Sequence, residues 1–210
     1  MKKETDYMKK KLKNNNEGKE KLRPFDENLF YIIGKLRPEI MEKFLKLILN
    51  DDNIEFDSSA VNIIPANITP DGLMIIEFCA YTKDGTLICF ITDRYDAQEL
   101  LYKMRWYEDY KTMQYVKEEA DYNLIPDMIF VALMEKDSFR EKEVIYEMVN
   151  RIKETDEVLD DGLKKLFVNG EYKGNDPLGN YIHDFMCDDV DSMRIDSIKE
   201  ALKFFETYGE

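Results

Sequence analysis

Two amphipathic helices are predicted near the start of the chain. After Asp26, whose short carboxylate is typical of a helix N-cap, apolar residues recur at helical spacing as far as Leu36. Pro38, a residue favoured in the first turn of a helix, restarts this spacing, which continues to Leu49. The polar run at 50–53 breaks the pattern. We therefore expect a short helix followed by a second one.

A β-hairpin is predicted in the middle of the chain. Residues 73–81 and 86–93 are rich in β-branched and aromatic side chains, and Asp84-Gly85 lies between them. An Asp-Gly step between two such runs is among the strongest hairpin signals in a sequence. The preceding run, 60–68, contains Pro65 and is expected to form an edge or irregular strand.

Helical and apolar segments alternate after the hairpin. Helical spacing without Pro or Gly predicts a long helix at 96–121, and the continuous apolar run at 127–134 predicts a strand buried on both faces. The other predicted elements are strands at 144–149 and 166–168 and short helices at 178–186 and 195–208. This order indicates an α/β fold with a mixed central sheet flanked by helices.

Length and composition fit a single folded domain. A chain of 210 residues can bury most of its apolar surface in one core. No segment approaches the roughly 18 consecutive apolar residues of a membrane span, and the start of the chain lacks the apolar run of a secretory signal. We expect a cytoplasmic protein that does not bind membranes. Cys79, Cys89 and Cys187 have no C-x-x-C spacing and are expected to be reduced, mostly buried thiols.

Charge is distributed unevenly along the chain. Residues 1–23 hold nine Lys or Arg and four Asp or Glu, a charge of +5, and the total of −14 leaves −19 for residues 24–210. The polar, basic segment 1–21 is expected to be a disordered leader, and the folded domain is expected to span 22–207. Residues 24–210, called the acidic body below, repel phosphate groups, whereas proteins that bind nucleic acids present a basic surface.

Four segments occur in a recognisable order along the folded part. They are LRPFDENLFYII with the leucine-rich helix ending LKLIL, then IIEFCAYTKDGTLICFITD, KMRWYEDY and LFVNGEYKGNDPLGNYIHDFMC. Together they resemble the PD-(D/E)XK nuclease family transposases of bacteria, a group that includes recombination-promoting nucleases. The resemblance implies a restriction-endonuclease-like core over about 22–150 and a small C-terminal α/β extension over about 151–207.

The resemblance also implies a particular chemistry. One strand of the family's core offers an aspartate and the next offers Glu-x-Gln or Glu-x-Lys, and the carboxylates hold Mg²⁺ or Mn²⁺ for phosphodiester hydrolysis. By position, Glu77 matches the aspartate, Ile91 the glutamate and Asp93 the glutamine or lysine. Isoleucine offers no oxygen ligand, so the centre is degenerate. In the simplest interpretation, Glu77 and Asp93 are ordinary polar positions of a sheet and Ile91 belongs to the core.

A working metal site remains open as an alternative. If the hairpin places Glu77 opposite Asp93, two carboxylates lie on one face, and Asp26 or Glu27 can supply a third ligand for Mg²⁺ or Mn²⁺. A two-residue loop at Asp84-Gly85 instead pairs Glu77 with Thr92 and turns Asp93 to the other face. The sequence leaves both registers open.

Basic and aromatic residues alternate in the segment KMRWYEDY. The resemblance implies that Lys103 and Arg105 contact the substrate or support the active site. The same alternation is typical of a half-buried amphipathic helix, and burial is expected for Trp106.

One histidine and two acidic runs complete the candidate sites. His183-Asp184 suggests an acid–base or metal pair, and the chain has no second histidine that could complete such a site. The runs 156–161 and 188–191 lack the spacing of an EF-hand and are expected to be solvated loops.

Three functional hypotheses follow from these patterns. The leading one is a PD-(D/E)XK-like protein with weak or lost DNA cleavage and a remaining binding role, with DNA, a partner protein or a second copy of the chain as the candidate partners. The second is an active metal-dependent DNA endonuclease that uses Glu77, Asp93 and a carboxylate of the first helix. The third is an acidic protein-interaction module.

Overall fold

A computed structural model of the chain describes residues 23–64, 75–94, 96–116 and 121–209. The predicted leader 1–21 and the stretch around Pro65 lie outside the described residues. The helices and strands are α1 (Glu27–Leu36), α2 (Pro38–Leu49), β1 (Phe56–Ile64), β2 (Ile75–Thr82), β3 (Leu87–Asp93), α3 (Ala97–Met113), β4 (Met128–Met134), β5 (Ile145–Met148), β6 (Asn150–Arg151), β7 (Val158–Leu159), β8 (Leu163–Asn169), α4 (Pro177–Met186) and α5 (Asp196–Gly209).

The fold is α/β, with a mixed six-stranded sheet flanked by helices, as the pattern predicts. The strand order is β1-β2-β3-β4-β8-β5, and β6 pairs with β7 in a separate two-stranded ribbon. Strands β3, β4 and β8 are parallel, whereas β5 is antiparallel to β8. The edge position of β1 agrees with the edge strand expected at 60–68, of which the structure describes 60–64. Among the described residues, none of the helices is long and apolar enough to cross a membrane.

The chain divides into two compact units. One comprises 1–55, 59–78 and 172–210, and the other comprises 56–58 and 79–171. In the first, aromatic side chains join α1, α2 and α4: the ring of Phe185 lies 5.0 Å from Phe44 and 5.3 Å from Phe30, between ring centroids. Pro38 occupies the first turn of α2 as predicted. These rings form the core of the first unit.

The second unit is built around the parallel strands. Every residue of β3 is buried, and so is all of β4 except the half-buried Ile129. Helix α3 covers this layer, and the ring of Tyr107 meets Phe130 edge-on at 5.8 Å. Strands that are buried on both faces explain why 86–93 and 127–134 are almost continuously apolar.

The turn between β2 and β3 is not the two-residue loop that one of the two open registers requires. Thr82 N donates to Thr86 O at 3.0 Å, and Gly85 N donates to Thr82 O at 3.0 Å. Three residues therefore form the loop, and Gly85 has a φ of 91°, a conformation in which a Cβ is strained. At this turn the strands are in neither of the registers considered above, since those require Glu77 opposite Asp93 or Thr92.

The structure differs from the sequence-based predictions in three segments. The helix predicted to reach residue 121 ends at Met113. The segment expected to begin a C-terminal extension contains β8, which lies between β4 and β5 and starts earlier than the pattern suggested. Pairing with β4 orders its first residues although they include two lysines, Lys164 and Lys165. The acidic run 156–161, expected to be a loop, contains the short strand β7.

Candidate functional site

The carboxyl-terminal ends of the parallel strands converge at one edge of the sheet. Asp93, the last residue of β3, is in register with Met134 of β4, and Met134 is in register with Asn169 of β8. In open α/β sheets, ligands bind outside this edge, because the following loops and helix N-termini surround it. We therefore treat this edge of the second unit as the candidate site.

Asp93 is held by a lysine from the helix that follows it. Its side chain is completely buried, and Lys103 Nζ lies 2.7 Å from its Oδ2. Helix α3 begins at Ala97, four positions after Asp93, and the Asp96 carboxylate accepts hydrogen bonds from the N–H groups of Gln98 and Glu99. This start directs Lys103, two turns further on, back over the end of β3. Asp93 and Lys103, both named as candidate site residues from the sequence, therefore form an ion pair.

The ion pair changes what Asp93 can do chemically. A buried carboxylate is costly unless a cation or hydrogen-bond donors compensate its charge, and Lys103 supplies both. The lysine side chain is 21% exposed, so its ammonium group also remains close to solvent. A carboxylate that is already paired with an ammonium group is a poor ligand for a divalent cation. The metal ion would have to displace the Lys103 ammonium group or lie beside it, and two positive charges at short distance repel each other.

A second ion pair lies beside the first. Glu135 N donates to Asp93 O at 2.9 Å, which continues the β3–β4 ladder by one residue. Arg94 Nε lies 3.7 Å from Glu135 Oε2. Asp93 and Arg94 thus each have a partner of opposite charge, so the charges at the end of β3 compensate one another.

The loop after β4 is organised around Asp137. Its carboxylate accepts hydrogen bonds from Arg140 N at 3.0 Å, Lys142 N at 2.8 Å and the Tyr146 hydroxyl at 2.7 Å. Arg140 and Lys142 adopt φ angles of 63° and 62°, which L-residues rarely do. Burial alone raises the pKa of Asp137, but the Tyr146 hydroxyl and the backbone N–H groups outweigh it, so this pKa lies below its usual value.

Asn169 connects the loop to the end of β8. It is buried, its Nδ2 donates to Glu143 O at 3.1 Å, and its Oδ1 accepts from Glu171 N at 2.9 Å. Sequence reasoning missed Asp137 and Asn169 as organising residues. The available signal was a polar residue directly after or near the end of a buried apolar strand.

The remaining candidate ligands belong to the first unit. Glu77 is buried in β2, on the same strand face as Cys79 by alternation, so it is not the ordinary polar position that the simplest interpretation expected. Asp26 precedes α1 as predicted, but its carboxylate accepts from Arg23 N at 2.8 Å and makes no side-chain cap. Glu27 begins α1, and its side chain lies outside the described part.

Ile91 belongs to the core, as the simplest interpretation expected. It is 1% exposed and lies opposite Ala132 in the β3–β4 ladder. Within the described residues of either compact unit taken alone, no three carboxylate, thiol or imidazole groups lie close enough together to hold a metal ion.

The two basic residues of the segment KMRWYEDY have different partners. Arg105 is exposed, and its guanidinium carbon lies 5.6 Å from the centre of the Tyr102 ring. Trp106 is half-buried and stacks on Tyr110 at 5.4 Å. Of the two basic residues considered, only Lys103 is shown to reach Asp93.

His183 and Asp184 form a structural contact in the first unit. Asp184 is fully buried and accepts hydrogen bonds from Arg194 N and Ile195 N, at 2.9 and 2.7 Å to its Oδ2. His183 Nδ1 lies 2.8 Å from its Oδ1. The carboxylate therefore anchors the backbone in front of α5. The acidic residues at 156–161 and 188, 189 and 191 are exposed, as expected of solvated loops.

An open cleft of about 420 Å³ lies near the opposite, amino-terminal ends of β4 and β8. Its lining includes the carboxylates Asp127, Glu147 and Asp160 and the cation Lys164, whose Nζ lies 3.7 Å from Glu147 Oε1. The excess of carboxylates makes this cleft unsuitable for a phosphate group.

Comparison with known proteins gives no relative on which to base an assignment. No family model, no curated protein and no solved structure matches this chain.

Proposed function

We propose that this chain is a PD-(D/E)XK nuclease-like protein whose metal centre has been replaced by a buried ion pair, and that it acts by binding a partner protein. One observation carries the proposal. The Asp93 carboxylate, which the alternative metal site would need as a ligand, is completely buried and bonded to Lys103. Mg²⁺ and Mn²⁺ bind through oxygen ligands, and Oδ2 of Asp93 is already bonded to the Lys103 ammonium group.

The neighbouring position supports the same conclusion. Ile91 stands where the resemblance places the catalytic glutamate, and it is packed in the core with no polar atom to offer. The hairpin of β2 and β3, followed by α3, has the order of the second and third resembling segments. The restriction-endonuclease-like core is therefore part of this proposal.

Charge favours a protein partner over DNA. Residues 24–210 carry −19, and proteins that bind a phosphate backbone normally release counterions through a basic surface. At the candidate edge, Lys103 and Arg94 each face a carboxylate, so their charges are already compensated. A partner with a basic surface matches the charge of the body better than a nucleic acid does.

The first test is a DNA cleavage assay on the full chain. Supercoiled plasmid and single-stranded DNA are incubated with Mg²⁺ or Mn²⁺, and with EDTA as the metal-free control. The variants are Asp93→Asn and Glu77→Gln, with Asp109→Asn as the matched exposed control on α3. We expect no metal-dependent cleavage by the wild type above the level of the variants.

The opposite result would identify a working enzyme. Metal-dependent cleavage that is lost in Asp93→Asn and Glu77→Gln but kept in Asp109→Asn would establish an active carboxylate site. Circular dichroism of each variant shows whether a loss of cleavage comes from unfolding. Fluorescence anisotropy with labelled DNA at physiological salt measures binding separately, and we expect none that survives this salt concentration.

A further inference from the structure

Two thiols face each other inside the second compact unit. Cys79 lies in β2 and Cys89 in β3, and their Sγ atoms are 3.4 Å apart. Both are buried, with Cys79 6% exposed and Cys89 completely inaccessible. Sulfur atoms at this distance are in van der Waals contact, so only a small side-chain movement separates them from a covalent bond of about 2.05 Å.

The strand register places the two cysteines in a favourable pairing. The hairpin closes with Thr82 N donating to Thr86 O, and the contact between Cys79 and Cys89 follows the same register three pairs further on. Hydrogen-bonded and non-hydrogen-bonded pairs alternate along antiparallel strands, so this pair is non-hydrogen-bonded. Its Cα atoms are then expected about 4.5 Å apart, within the range that disulfides span.

We propose that Cys79 and Cys89 are a redox modification site that forms a cross-strand disulfide when the protein meets a hydroperoxide. Cys79, the more accessible thiol, attacks the terminal peroxide oxygen as its thiolate and becomes a sulfenic acid, releasing an alcohol or water. The sulfur of Cys89 then attacks the Cys79 sulfur, and the sulfenic oxygen leaves as water. In total, two thiols and one hydroperoxide give one disulfide, one alcohol or water, and one water.

The third cysteine provides an internal comparison. Cys187 is partly exposed and its Sγ donates to Asp189 O at 3.2 Å. Among the described residues, Cys79 and Cys89 are the thiols that contact each other. The proposed reaction therefore removes two of the three thiols and leaves Cys187 free. It does not depend on the proposed binding function.

The chain sequence makes the product easy to identify. Trypsin cuts after Lys83 in the hairpin turn, so Cys79 lies in peptide 47–83 and Cys89 in peptide 84–94, while Cys187 lies in peptide 174–194. A disulfide between the strands joins the first two peptides, which otherwise separate. Peptide mass mapping without reductant thus reports the pairing directly.

The experiment treats the full chain with increasing hydrogen peroxide, alkylates the free thiols and maps the peptides. We expect linked peptides 47–83 and 84–94, one alkylated thiol in place of three, and full reversal by dithiothreitol. The variant Cys187→Ser should behave as the wild type, whereas Cys79→Ala should give no linked peptide. The oxidised wild type should also unfold at a higher temperature than the reduced protein, because the disulfide restricts the unfolded chain.

Two results would overturn the proposal. Three alkylated thiols after peroxide treatment would show that the pair does not react. Cys79 and Cys89 as separate sulfinic acids, or a disulfide that includes Cys187, would show that the strand register does not direct the chemistry. The wild-type peptide map decides between these outcomes even if Cys79→Ala fails to fold.

Discussion

Lys103 Nζ lies 2.7 Å from Oδ2 of Asp93, which joins the end of β3 to the second turn of α3 through a buried carboxylate. The two residues are ten positions apart in the chain. This ion pair engages the carboxylate that the alternative metal-site hypothesis would use as a ligand. It is therefore central both to the stability of the second unit and to the proposed loss of catalysis.

Removing the lysine should destabilise the protein strongly. In Lys103→Met the methylene packing is largely kept, but Asp93 loses its buried ammonium partner. Breaking a buried ion pair on one side typically costs about 3–5 kcal/mol, and the partial exposure of Lys103 places the expected loss near the lower end, about 3 kcal/mol. Urea unfolding at neutral pH measures this loss.

A matched control and a double-mutant cycle test the cause of this effect. Arg105→Met, an exposed change on the same helix, should alter the free energy of unfolding by less than about 0.5 kcal/mol. The double variant Asp93→Asn with Lys103→Met should be more stable than the sum of the two single losses predicts. Additive losses would show that the two residues do not stabilise each other.

Asp184 should be important for stability, and His183 should matter much less. Asp184→Asn replaces a fully buried charged acceptor of two backbone N–H groups, so we expect a loss of about 2 kcal/mol in the free energy of unfolding. The exposed change Asp188→Asn is the control and should have little effect. If His183→Ala were as destabilising as Asp184→Asn, the anchoring role of the carboxylate would be wrong.

The contribution of Asp137 should depend on pH. Its pKa is lowered in the folded state, so the charged carboxylate stabilises the fold above its unfolded pKa of about 3.9, and this contribution disappears as the pH falls through the lower folded pKa. Asp137→Asn should therefore lose about 1 kcal/mol at pH 7 and progressively less below about pH 4. Urea unfolding across this range, with the exposed neighbour Glu141→Gln as the control, measures the difference.

Two glycines should resist replacement for different reasons. A Cβ at Gly34 would lie 2.6 Å from Cδ2 of the fully buried Phe78, so Gly34→Ala should cost about 1–3 kcal/mol despite the higher helix propensity of alanine. Gly85 has open space but a φ of 91°, so Gly85→Ala should cost about 1–2 kcal/mol through its backbone. The change Phe78→Leu should reduce the penalty at Gly34 and leave that at Gly85 unchanged, as urea unfolding can show.

Local patterns were sufficient to predict most of the elements. Hydrophobic periodicity predicted α1, α2, β4 and the C-terminal helices, and the Asp-Gly step predicted the hairpin. These signals depend on neighbouring residues, because backbone conformation and the burial of one face repeat over a few positions. The full length of β8 was not predictable in this way, since pairing with β4 orders its polar start.

The candidate site depended on contacts between distant residues. The sequence by itself determined that Ile91 cannot ligate a metal and that the body is acidic, because both follow from residue identity alone. Only the tertiary structure decided that Lys103 reaches Asp93, that Asp184 binds the backbone before α5, and that Cys79 faces Cys89. The physical reason is that hydrogen bonds and ion pairs need positions known to within about half an ångström, and such positions arise only once helix phase, turn length and strand register have all been set.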